Sequence, residues 1–136
     1  MNVLIVEDSK ISVLGIKKIL NKQPYGLNIL EAENGELALN LLYSIKKDSD
    51  LPDFILLDLN MPVMNGKEFL AIIRKDKRLC HIPVTIHTTS SNPVDYFECK
   101  ALAISGYYIK HIDYKVYKEN IMCISNYWFN SYRNNL

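Results

Sequence analysis

Phe54-Ile55-Leu56-Leu57-Asp58 is a short apolar run closed by a carboxylate, and Val3-Leu4-Ile5-Val6-Glu7-Asp8 repeats that form near the N-terminus. Neither run alternates apolar with polar residues. An unbroken apolar run of strand length is what a parallel strand covered on both faces requires. Further short runs lie at residues 27–32, 84–88 and 107–109, most of them rich in β-branched or aromatic types.

Helical patterns fill the gaps. Ser9 is a plausible N-cap for a first helix with Val13, Ile16, Ile19 and Leu20 on its inner face. Pro24 and Gly26 break the chain, and Asn34-Gly35 opens a second helix carrying Leu37, Leu41, Leu42 and Ile45. Residues 46–52 form a polar loop. Gly66 begins a third helix with Phe69, Ile72 and Ile73 inward, and Pro83 closes the following loop. Phe97, Ala101 and Ile104 mark a fourth helix, while Tyr117, Ile121, Ile124 and Trp128 mark a fifth, expected from about residue 115 to 133. Strand and helix thus alternate along the whole chain. The pattern predicts an α/β three-layer sandwich around a doubly wound, flavodoxin-like, five-stranded parallel sheet of order 2-1-3-4-5.

The 136 residues are expected to form one domain, spanning 1–136. Apolar residues make up 49% and charged residues 23%, which excludes wholesale disorder. A net charge of +1 argues against nucleic-acid coating and polybasic membrane binding. Cys80, Cys99 and Cys123 are odd in number and form no C-x-x-C, so a disulfide framework or zinc site is not expected and a cytoplasmic location is. No stretch has the ~20 apolar residues of a membrane helix, and Glu7-Asp8 cuts short any signal-peptide core.

The chemistry is placed by position. Glu7 and Asp8 follow the first strand, Asp58 follows the third, Thr88 ends the fourth and Lys110 follows the fifth. In the expected sheet, ligands bind where the winding reverses, between the first and third strands. One crevice should therefore hold Asp8 and Asp58, with Thr88 and Lys110 along its rim. Converging carboxylates repel one another unless a cation is present, and oxygen-only ligands suit Mg²⁺. One of the carboxylates can act as a nucleophile, with a hydroxyl and an ammonium opposite to bind phosphoryl oxygens. Together these groups form a minimal kit for phosphoryl transfer to Asp.

The sequence resembles the receiver domain of two-component response regulators, of the stand-alone, chemotaxis-regulator-like kind. The resemblance is carried by Val3-Leu4-Ile5-Val6-Glu7-Asp8-Ser9, Ala32-Glu33-Asn34-Gly35, Asp53-Phe54-Ile55-Leu56-Leu57-Asp58-Leu59-Asn60-Met61-Pro62, Gly66, Pro83-Val84-Thr85-Ile86-His87-Thr88-Thr89-Ser90 and Gly106-Tyr107-Tyr108-Ile109-Lys110. It implies that Asp58 is the phosphoacceptor for a phosphohistidine on a sensor histidine kinase or histidine phosphotransfer protein. It implies Mg²⁺ held by Asp8, Asp58 and the backbone carbonyl of Asn60, with Glu7 acting through a water. Thr88 and Lys110 would contact the phosphoryl oxygens, helped by backbone N–H groups near Asn60 and Thr89. Tyr107 matches the switch aromatic that turns inward when Thr88 moves, altering the surface of the fourth helix, fifth strand and fifth helix for a downstream protein target.

The chain departs from the family pattern in places. His111 stands where proline, often cis, is usual after the lysine. Ala103 stands where a helix-ending glycine is common, so the fourth helix is expected to end without a left-handed cap there, which would cost ~1 kcal/mol. His87 replaces an aliphatic residue and reads as a packed core histidine. Tyr127-Trp128-Phe129 suggests added packing or a homodimer contact. Two alternatives stand beside the phosphoacceptor: a phosphorylation-independent pseudo-receiver, and an Mg²⁺-dependent aspartyl-phosphate hydrolase. The hydrolase is disfavoured because Asn60, two positions after Asp58, cannot act as a general acid.

Overall fold

The structure, a computed structural model, describes residues 1–131. Strands β1 (Asn2–Val6), β2 (Asn28–Ala32), β3 (Phe54–Leu57), β4 (Val84–Thr88) and β5 (Gly106–Ile109) pair in parallel in the order β2-β1-β3-β4-β5. Helices α1 (Lys10–Asn21), α2 (Gly35–Ser44), α3 (Gly66–Lys75), α4 (Pro93–Ala101) and α5 (Tyr114–Phe129) connect or follow them. Every residue of β3 is buried, as an unbroken apolar run requires, and every residue of β4 is buried too although Thr85, His87 and Thr88 are polar, whereas the edge strand β2 is half-exposed. Two apolar cores form, one on each side of the sheet. Leu4, Val6, Ile55 and Leu57 face α2, α3 and α4, while Val3, Ile5, Phe54 and Leu56 face α1 and α5. Tyr107 and Tyr108 fall in opposite cores, as strand alternation dictates. Among the described residues, no helix is long and apolar enough to cross a membrane.

The helix starts follow the sequence. Ser9, Asn34, Asn65, Asn92 and Asp113 each cap a helix by accepting a backbone N–H with the side chain. The inner faces follow it less closely. Val13, Ile16, Ile19 and Leu20 are buried in α1 as expected. In α2 the buried face is Gly35, Ala38, Leu39 and Leu42, and Leu37 is exposed. Small residues lie where that helix comes nearest its neighbours, so a reading that follows the bulkiest side chains turns the face by one position. In α3, Leu70 takes the buried place expected for Ile72. In α4 only Cys99 is fully buried, and Phe97 is 63% exposed.

Helix α5 ends at Phe129 rather than continuing to 133; residues 132 and 133 lie outside the described residues. Its terminal aromatics are partly packing. Phe129 stacks on Tyr25 at 3.9 Å between centroids, Trp128 lies against Phe54 at 6.1 Å, and Tyr127 is exposed.

One further correction concerns the backbone. Ala103 does take the left-handed conformation (φ 56°) that was expected to be avoided. The arginine at the end of α3 holds it there: the Arg74 guanidinium donates to the carbonyls of Leu102 (2.8 Å) and Ala103 (3.4 Å), and to those of Cys80 (3.1 Å) and Ile82 (2.9 Å). These charge-assisted bonds offset the ~1 kcal/mol cost of the conformation. The peptide bond into His111 is trans, as are all those of the described residues.

Candidate functional site

Strand register assembles the site. Val6 sits beside Leu57, the Asp58 N–H donates to the Val6 carbonyl at 3.0 Å, and the Glu7 N–H donates to that of Ala32 at 3.0 Å. Glu7, Asp8 and Asp58 therefore leave adjacent strand ends together. On the other side Thr88 pairs with Ile109, and the Lys110 N–H donates to the Thr88 carbonyl at 2.7 Å. Gly66 lets the loop after Asp58 fold tightly, since a Cβ there would overlap the Asp58 carbonyl oxygen.

One carboxylate oxygen from each of Glu7, Asp8 and Asp58 lies within 4.8 Å of the others. Asp8 is exposed, while Glu7 and Asp58 are buried. The Lys110 ammonium reaches Glu7 Oε2 at 2.6 Å and Asp58 Oδ2 at 3.4 Å. Backbone donors take the remaining oxygens: Leu59 N–H to Asp58 Oδ1 at 2.8 Å and Ser9 N–H to Glu7 Oε1 at 3.1 Å. Lys110 is not at a rim; its side chain is 13% exposed and lies among the acids. Thr88 is not at a rim either but fully enclosed, with Oγ1 accepting from the Ser90 N–H at 3.2 Å. Asn60 is exposed beside the cluster, and the half-buried Tyr107 donates its hydroxyl to the Ser90 carbonyl at 3.0 Å.

Charge in this cleft is out of balance. Burial disfavours the Lys110 ammonium, but the hydrogen bond it donates to Glu7 and the charges of Asp58 and Glu7 outweigh it and hold the lysine above its ordinary pKa. One ammonium faces three carboxylates. Burial drives Glu7 upward; Lys110 opposes this and the Asp58 charge reinforces it. An oxygen-only donor set with excess negative charge, open to solvent on the Asp8 side, fits a hard divalent cation.

Comparison with known proteins agrees with this geometry. The sequence profile of the response regulator receiver domain matches residues 3–121. The chain belongs to the response regulator receiver family. This receiver is 34% identical over 121 residues to the chemotaxis protein CheY of Pseudomonas aeruginosa, covering 89% of this chain and 93% of that one. Two solved structures superpose with a TM-score of 0.86 at 29% identity. One is the phosphorylated cyanobacterial phytochrome response regulator RcpA, with 95% of this chain and 94% of that one covered. The other is the Mn²⁺-bound form of response regulator Rcp1, with 96% and 95% covered. Receivers are signalling modules of two-component systems.

Sequence reasoning missed part of the receiver's surroundings. Ser90 links Thr88 to Asp95, and Asp95 to Lys67 at 2.8 Å, a chain of contacts with no periodic signature. It also missed Val63, whose φ of 68° and the Met64 N–H to Pro62 carbonyl bond of 2.8 Å form a γ-turn just beyond Asn60.

Proposed function

We propose that Asp58 accepts a phosphoryl group from a phosphohistidine of a sensor histidine kinase or histidine phosphotransfer protein. The observation that carries this reading is the convergence of Glu7, Asp8 and Asp58 oxygens within 4.8 Å, with Lys110 Nζ 3.4 Å from Asp58. In this reading an Asp58 oxygen forms the new bond to phosphorus, and the donor's imidazole nitrogen leaves. Asp8, Asp58 and the Asn60 carbonyl would hold Mg²⁺, with Glu7 acting through a water, and the ion would supply positive charge to offset that of the transferring group. Lys110 releases Glu7 to contact a phosphoryl oxygen. Thr88, whose oxygen accepts from Ser90, keeps its own hydroxyl proton to donate to another.

Movement of Thr88 toward the phosphoryl group breaks its bond with Ser90. Ser90 also holds the Tyr107 hydroxyl, so the ring is freed to turn inward. The surface of α4, β5 and α5 then differs for a downstream protein target in the cytoplasm, with a second copy of the chain as a further candidate partner. A preference of a few kcal/mol between two packings suffices.

Incubation with Mg²⁺ and phosphoramidate or acetyl phosphate tests the reading. A gain of about 80 Da is expected, absent in Asp58→Asn. A folded wild-type protein that gains nothing from either reagent contradicts it.

A further inference from the structure

Helix α4 is weakly attached by its own apolar side chains, since Cys99 alone is fully buried. Two cations from α3 grip its ends instead. Lys67 donates to Asp95 Oδ1 at 2.8 Å and to Glu98 Oε2 at 2.7 Å, near the helix start. Arg74, seven residues on and so on the same stripe of α3, takes the Leu102 and Ala103 carbonyls just beyond the helix end.

The two grips differ in what lies behind them. Arg74 holds only main-chain carbonyls. Behind Lys67 lies a relay: Asp95 Oδ2 accepts from the Ser90 hydroxyl, Ser90 N–H donates to Thr88 Oγ1 at 3.2 Å, and the Ser90 carbonyl accepts from Tyr107 at 3.0 Å. Asp95 therefore spends one oxygen on α3 and the other on the loop that carries Thr88. It is held below the usual carboxylate range, by Lys67 first and by Ser90 next. Its side chain is 19% exposed, so this arm of the grip is better shielded than the Glu98 arm at 53%.

We propose that Lys67 is a positioning residue for Thr88: through Asp95 and Ser90 it latches the resting arrangement of the loop after β4. The latch rests on the phosphoacceptor reading only for its consequence, because the resting contacts are independent of it. Removing the Lys67 charge frees Asp95, loosens Ser90 and lets Thr88 reach the acceptor more often. The weight of a partly shielded ion pair corresponds to a population change of about three- to tenfold.

The test compares wild type, Lys67→Met, Asp95→Ala, the double variant, Lys67→Arg and Arg74→Gln, each checked for folding by denaturant titration. In the unphosphorylated protein, amide hydrogen exchange at Ser90 is expected to quicken about three- to tenfold in Lys67→Met and in Asp95→Ala. The double variant should be no faster than Asp95→Ala alone, Lys67→Arg should restore protection, and Arg74→Gln should leave Ser90 unchanged despite loosening α4. With Mg²⁺ and phosphoramidate, Lys67→Met should take up phosphoryl groups faster by a similar factor. The proposal is overturned if Ser90 protection survives Lys67→Met, if Arg74→Gln lowers it equally, or if the two losses simply add. It is overturned too if Lys67→Met loosens Ser90 without quickening uptake. A wild-type protein that takes up no phosphoryl group sinks the phosphoacceptor reading instead, while the exchange data still judge the latch.

Discussion

At the residue scale, His87 is the sharpest case. Its ring is fully enclosed, edge-on to Tyr117 at 5.0 Å, and among the described residues neither nitrogen has a hydrogen-bond partner. Burial, with the nearby Lys110 charge adding, pushes its pKa down to about 4 from 6.5. Between those values the unfolded chain holds a proton that the folded one refuses. Stability should therefore rise with pH across that window, by roughly 3 kcal/mol in all, and this residue contributes no further slope above it. His87→Leu should flatten that part of the curve, as read by urea titrations at several pH values; an unchanged slope would refute the assignment. Val63 offers a second test, being a β-branched residue at positive φ in a γ-turn. Val63→Gly should raise stability by about 1 kcal/mol. Sequence shows that a histidine sits in a strand; it does not show the missing partners, because those depend on which side chains surround it in space.

Among elements, the strands were legible and the helix faces only partly so. A strand buried on both sides can be apolar throughout, so β3 could be read to the residue, and β4 was legible from its β-branched Val84, Thr85, Ile86 and Thr88 after Pro83. A helix face depends on which residues are small enough to let a neighbouring element come close, as Gly35 does for Met64 and Phe69. Ala38 and Gly35 therefore displaced Leu37, a substitution that spacing of bulky residues cannot anticipate. The acid cluster was legible because strand ends carry it: Glu7-Asp8, Asp58 and Lys110 come directly after the last residues of β1, β3 and β5. The attachment of α4 was not, because Lys67 and Arg74 act on residues far along the chain. Arg74 satisfies carbonyls from two loops at once, so Arg74→Ala should destabilise the protein by about 2–3 kcal/mol, measured by chemical denaturation. A loss near zero would mean that solvent replaces the guanidinium without cost.

For the whole molecule, the acid cluster and the α5 aromatics lie at opposite ends of the sheet. Phe54 opens β3 beside Trp128, and Asp58 follows its other end. Mg²⁺ should therefore raise the melting temperature without altering Trp128 fluorescence of the folded state, and Asp8→Asn should weaken that rise. A rise that is undiminished in Asp8→Asn would place the ion elsewhere. Exposed Tyr127 leaves room for a contact between copies, and light scattering with and without phosphoramidate will show whether mass doubles on modification. The central claim is that groups from four strand ends prepare one side chain to become an acyl phosphate. It is tested most directly by treating the protein with phosphoramidate and Mg²⁺, reducing with borohydride and sequencing the peptides by mass spectrometry. The account predicts homoserine at position 58 alone; homoserine at another carboxylate, or nowhere in a folded sample, would contradict it.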